Sequence, residues 1–393
     1  MMKKGLISFA VCATLLAPNT FAKTVQTSTD NSVSLYGEIK YYTGWTKQTD
    51  FMGNTAYKSN STAPAEKDSQ NKTKYDSYIG STTIGIDIEN KAVNLEGKIE
   101  GDFSNDGDVF GLTYAYVQHN LDNGLFVLIG KTDQIGEENT LSNNDNAVAG
   151  FNGTDQVVQV RLGGSFDLGS ITFTPEIALE DIKDILIGED ETNYVNRTAF
   201  PGIGAKISID FETGFGDPAK VYGFCEFQNL KIVNNSTNEE KSKTPYVYGV
   251  GFDLPIDIAE IQAEYLHGKG TTNYAGIEAT GDLQVPGGYY NEDNELKARK
   301  FDAYNIEVSI SPTDIFNIYS GYDYVRFKKH IREIGDNAVK NTQTVFGGIN
   351  LTTTKYSTLS LEWDHFKTEY YPSVGDSETD SANQLFLLYD YAF

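Results

Sequence analysis

The chain of 393 residues is acidic, with 55 Asp and Glu against 31 Lys and Arg and a formal net charge of −24. That balance argues against binding nucleic acid or an anionic membrane surface through a basic patch, and it favours cationic partners. Two cysteines, Cys12 and Cys225, leave no framework for a small disulfide-stapled domain.

The first 22 residues read as a secretory signal. Lys3 and Lys4 form a basic start, residues 5–16 a short apolar core, and Thr20-Phe21-Ala22 a small-residue cleavage site after Ala22. Cys12 falls inside that core, and the bulky Val11 before it argues against lipidation. The division expected is a signal peptide over 1–22 and one domain over 23–393. Beyond residue 22 no run of 18 apolar residues occurs, so no transmembrane helix is predicted. A membrane-spanning barrel needs only every second residue to be apolar, so this observation does not bear on one.

From residue 33 onward the sequence returns to one pattern: about ten residues alternating apolar and polar, then a break. The segments are 33–45, 77–89, 93–103, 109–119, 125–131, 156–166, 171–180, 200–211, 219–230, 246–253, 258–267, 301–310, 315–327, 342–351, 357–366 and 382–393, sixteen in all. In 93–103, Val93, Leu95, Gly97, Ile99, Gly101 and Phe103 take one face, while Asn94, Glu96, Lys98, Glu100 and Asp102 take the other. Four charges on one face suit a water-filled lumen, with the apolar face toward lipid. Alternation is poor over 221–228 and 316–327.

Short breaks with turn chemistry, such as Asp122-Asn123-Gly124 and Ser311-Pro312-Thr313-Asp314, alternate with mostly longer polar breaks, such as 46–76, 132–155 and 268–300. Aromatics collect near the segment ends, among them Trp45, Tyr75, Tyr114, Tyr246, Tyr322 and Tyr324, as girdles at two membrane interfaces would. The fold class expected is an all-β, antiparallel transmembrane β-barrel of about sixteen strands, with short periplasmic turns and long extracellular loops.

The final segment closes on Leu385, Leu387, Tyr389, Tyr391 and Phe393 at every second position. It looks like the signal that outer-membrane barrels present to their assembly machinery. The opening 33–39 segment, Val-Ser-Leu-Tyr-Gly-Glu-Ile, resembles the first strand of the Gram-negative general porins, and Leu125-Phe126-Val127-Leu128-Ile129-Gly130-Lys131 is similar to their fifth. The resemblance implies an outer-membrane, lipid- and lipopolysaccharide-embedded homotrimer that passes ions and small hydrophilic solutes and carries no cofactor or metal. It also implies that the third long break, 132–155, folds into the barrel and sets acids against a basic wall. The acids would be Asp133, Glu137, Glu138, Asp145 and Asp155, with Gly136, Gly150 and Gly153 for bends. The wall would offer Lys40, Lys98, Lys131 and Arg161, beside lumen acids such as Glu96 and Glu100. This stretch departs from the family's Pro-Glu-Phe-Gly-like sequence, so its inward path rests on its order in the chain.

Other functions fit less well. His119, His267, His330 and His365 accompany no hydrolase motif such as Gly-x-Ser-x-Gly and no His-Glu-x-x-His, so no enzyme is expected. A solute-specific channel would need a recognisable ladder of binding groups, and an adhesin would use the long loops without needing a conducting pore. The excess of inward carboxylates predicts a cation-preferring channel.

Overall fold

The structure is a computed structural model. It describes residues 23–26, 31–47, 73–104, 109–138, 140–143, 156–182, 194–234, 237–271, 288–290, 296–328, 339–371 and 378–393. Sixteen strands form the wall: β1 (Asn31–Lys47), β2 (Lys74–Asn90), β3 (Leu95–Ser104), β4 (Val109–Asn120), β5 (Leu125–Asp133), β6 (Gln156–Gly164), β7 (Ile171–Glu180) and β8 (Tyr194–Phe211), followed by β9 (Ala219–Asn234), β10 (Tyr246–Ile256), β11 (Ala259–Lys269), β12 (Lys300–Thr313), β13 (Phe316–Phe327), β14 (Val339–Thr354), β15 (Ser357–Tyr370) and β16 (Glu378–Ala392). Each pairs antiparallel with the next. Lys47↔Asn383 through Glu38↔Ala392 joins β1 to β16 and closes the barrel. Closure removes every edge strand, which a sheet in hydrocarbon requires because no water is present to satisfy unpaired backbone groups.

The sequence pattern explains the wall. Ile84, Ile86 and Ile88 on β2, Ile99 on β3, Val158, Val160 and Leu162 on β6, and Leu361 and Trp363 on β15 all point outward and are exposed. Together they make the apolar band of a membrane-spanning barrel. Seven tight connections lie at one end, including the 3₁₀ turn Lys91–Val93, which Asn94 ends in a left-handed conformation (φ 50°). No helix is long and apolar enough to cross a membrane among the described residues.

The last strand keeps its expected faces. Phe386 and Leu388 are buried inside, and Leu385 is exposed outside on the same parity as Phe393. Phe393 exchanges backbone hydrogen bonds with Gly37 (2.8 and 2.9 Å). Its ring fills the space a Cβ at Gly37 would need. Just beyond, Lys23–Gln26 pairs with Ser32–Leu35. Residues 1–22 lie outside the described residues.

The lumen is not uniform. Inward side chains on β1–β4, such as Glu38, Asp87, Glu96 and Lys98, are exposed or half-exposed. On β9–β16 the inward face is packed: Tyr222, Phe224, Leu266, Phe301, Val325 and Phe327 form one buried cluster, and Tyr319, Phe346, Phe366 and Ala382 another. These apolar inward faces are why 221–228 and 316–327 lack period-two alternation.

Candidate pore constriction

The segment after β5 turns into the lumen and crosses it. Ile135 is buried, and its N–H donates to Glu180 Oε1 on β7 (2.8 Å). Gly136 lies against the Phe224 ring of β9, where a Cβ would collide with the ring. Close approach, rather than an unusual backbone angle, requires glycine there. The carboxylate of Glu138 then meets two lysines, Lys206 of β8 and Lys220 of β9 (2.6 Å).

From two residues farther along, two wall carboxylates seize consecutive loop groups. Glu307 of β12 accepts from the Thr140 hydroxyl (2.7 Å) and the Leu141 N–H (2.6 Å). Glu362 of β15 accepts from the Ser142 hydroxyl (2.6 Å) and the Asn143 N–H (2.7 Å). Tyr319 of β13 also donates to Glu362 and accepts from the Asn143 amide. Between these anchors the Leu141 side chain packs on the Tyr319–Phe346–Phe366 cluster. Charge-assisted bonds to carboxylates are the strong class of hydrogen bond. Here they also satisfy backbone N–H groups that would otherwise be buried unpaired.

The lumen carboxylates therefore divide in two. Glu180, Glu307 and Glu362 are fully buried beneath the loop as acceptors, and Glu226 and Glu264 are buried beside them. Glu96 stays exposed and accepts from Asn120 (2.6 Å). Glu100 is buried by its partners: Tyr36 (2.7 Å), Thr113 (3.1 Å) and Lys98 (3.1 Å).

The expected basic wall is not what Glu138 faces. Lys40 pairs with Glu38 on its own strand (3.1 Å). Lys98 pairs with Glu100 and sits 4.2 Å above the Tyr114 ring. Arg161 lies 3.6 Å from Glu176 and donates to the Asp133 carbonyl at the loop's base (2.7 Å). Lys131 pairs across β4 with Ala115, next to the outward pair Val117 and Ile129, so it stands on the outer face, its amine bonded to the Leu112 carbonyl. Lys206 stands on the polar face of the 200–211 segment, where nothing local ties it to the loop. Lys220 lay in the segment whose alternation fails. The Asp133 carboxylate accepts from Tyr114 (2.6 Å) and Gln156 (3.2 Å). The Glu137 N–H closes a turn onto Gln134 (3.1 Å). Asp145, Asp155, Gly150 and Gly153 lie outside the described residues. No cluster of metal-ligating side chains occurs among the described residues.

A closed sixteen-strand barrel with a loop bridging its lumen matches solved outer-membrane channels over nearly its whole length. The chain has the fold of the Gram-negative porins. Against the outer membrane channel DcaP of Acinetobacter baumannii the TM-score is 0.73 at 18% identity, covering 94% of this chain and 99% of that one. OmpF of Salmonella typhi, solved with daunomycin, gives 0.57 at 10% identity over 94% and 100%. An anion-selective porin from Comamonas acidovorans gives 0.56 at 10% identity over 93% and 100%. No protein-family model and no curated protein sequence matches the chain.

Proposed function

We propose that the chain is an outer-membrane porin, a water-filled channel for passive diffusion of ions and small hydrophilic solutes with a preference for cations. The observation that carries the channel reading is the loop tied across the lumen at Glu180, Glu138, Glu307 and Glu362, which leaves water-accessible polar side chains along β1–β4. A plugged structural barrel has no use for a hydrated, charged half-lumen.

The sign of selectivity does not come with the fold, since one structure of the same architecture is described as anion-selective. It rests on side chains. Along the accessible wall Glu38, Asp87, Glu96 and Asp102 stand against Lys40 and Lys98. The three charges at the loop, Glu138, Lys206 and Lys220, carry a net positive charge. Carboxylates around a pore with low-dielectric walls raise the local cation concentration. The proposal includes export with removal of residues 1–22, recognition of the Phe393 strand by the assembly machinery, and a homotrimer. Planar-bilayer recording tests it: discrete conductance steps and a cation-directed reversal potential at low salt are expected, and a non-conducting barrel overturns it.

A further inference from the structure

On the wet side of the lumen one cation already has a seat. Lys98 of β3 stands directly abreast of Asp87 on β2, whose side chain is exposed. The ammonium nevertheless lies 3.1 Å from Glu100, two positions along its own strand. There it sits over two rings, 4.2 Å from the centroid of Tyr114 on β4 and 5.3 Å from that of Tyr36 on β1. A cation within about 6 Å of a tyrosine face is attracted by the ring quadrupole. The two rings and the buried Glu100 therefore act together, where Asp87 offers charge alone.

The recess keeps its shape through bonds that do not involve the lysine. The Tyr36 hydroxyl donates to Glu100 Oε2 (2.7 Å) and the Thr113 hydroxyl to Oε1 (3.1 Å). The Tyr114 hydroxyl donates to Asp133 (2.6 Å), at the base of the crossing loop. Gly85 of β2 lies under the Tyr36 ring, where a Cβ would collide with it, so the ring can lie close to the wall. Groups fixed in advance spare a ligand the cost of ordering them. Lys98, by contrast, is partly exposed and hangs on a flexible four-carbon stem. It can be withdrawn toward Asp87 while the rings and Glu100 stay in place.

We infer that the Tyr36–Glu100–Tyr114 recess is a binding subsite for primary alkylammonium solutes, occupied at rest by Lys98 as a tethered, displaceable surrogate. The incoming ammonium donates to Glu100 between the two ring faces, its methylene groups follow the path of the lysine stem, and the displaced Lys98 turns to Asp87. Charge and shape select this ligand. An anion is repelled by Glu100, a neutral alcohol gains nothing from the ring quadrupoles, and a quaternary ammonium has no N–H to give the carboxylate. The recess opens on the lumen, so its role in permeation rests on the channel reading proposed above.

The test is planar-bilayer recording of the full-length barrel with n-butylammonium, the chemistry of the lysine side chain itself, added to the bath. Wild type should show a concentration-dependent loss of current, and n-butanol should cause none. K98A removes the tethered competitor and should be blocked at roughly tenfold lower concentration. Y36L/K98A/Y114L should lose roughly tenfold again, about a factor of three per ring, whereas Y36F/K98A/Y114F keeps both faces and should keep most of the block. Heat-resistant electrophoretic mobility verifies that each variant is folded. A wild type insensitive to butylammonium overturns the displacement, and equal block of K98A with and without the two rings overturns the site. A barrel that does not conduct at all would count against the channel reading instead. Calorimetric titration of the folded barrel in detergent with butylammonium then decides the site: the same order of affinities supports it, and equal affinities overturn it.

Discussion

Ser142 and Glu362 stand 220 residues apart in the chain and are joined by a 2.6 Å hydrogen bond across the inside of the barrel. Glu362 receives the Asn143 N–H and the Tyr319 hydroxyl as well, and Glu307 holds Thr140 and Leu141 in the same manner. Replacing both acids by Gln turns one acceptor oxygen at each site into a donor facing another donor. Hydrogen bonds to charged groups contribute about 1.5–3 kcal/mol each. E307Q/E362Q should therefore release the loop, giving a larger and noisier single-channel conductance in a barrel that still assembles. Unchanged conductance would mean that the loop does not restrict the path.

Glu138 neutralises part of the charge of Lys206 and Lys220. E138Q leaves two lysines without that carboxylate, so the reversal potential under a salt gradient should move toward anions. The shift should fade at high salt, because the Debye length falls from about 10 Å at 0.1 M to about 3 Å at 1 M. K206Q/K220Q should move it the other way, and a common direction for both variants would refute the assignment.

Gly204 of β8 lies beneath Ile135, whose methyl would sit 2.5 Å from an added Cβ. G204V should displace the buried Ile135 and cost about 1–3 kcal/mol of local stability, as overpacking does. Loop cleavage by added protease should rise while heat-resistant mobility of the barrel stays intact.

In a Cys225→Ser background, a cysteine replacing the exposed Lys328 should react with an impermeant maleimide on intact cells. One replacing Asp314, in the β12–β13 turn, should react only after lysis. The reverse pattern would invert the barrel.

Phe393 completes the pairing of the last strand with Gly37. Its deletion should lower the amount of barrel in the outer membrane, and G37V should produce a milder form of the same defect by crowding the ring. Wild-type levels of the deletion would refute the assembly role.

How legible this was in the sequence depended on which face met water. Where the lumen is wet, as on β3, alternation places the strand within two residues of its observed limits. The antiparallel sixteen-strand wall and its seven short turns were readable on that basis. Where the loop covers the wall, Phe224 and Tyr319 point inward as apolar groups and the period disappears. The loop's acceptors were readable as inward carboxylates, but not as buried ones. Glu307 and Glu362 look no different in sequence from Glu96, which water reaches. What separates them is the path of residues 134–138 and 140–143, and no local pattern encodes contacts of such sequence separation. Lys131 misled for a related reason: Gly130, at φ 140°, interrupts the strand whose faces had to be assigned.

The anchoring of the loop has a consequence for how such a channel can change. In an empty barrel the bore is set by strand number and shear, and altering it means rebuilding the wall. Here, among the described residues, Thr140 to Asn143 lie on two fixed carboxylates of the wall. If the loop restricts the path as proposed, substitutions among those four would narrow or widen the passage while every wall hydrogen bond stays in place. Permeability would then be a variable of one short peptide, free to drift without touching the part of the molecule that must insert into a membrane.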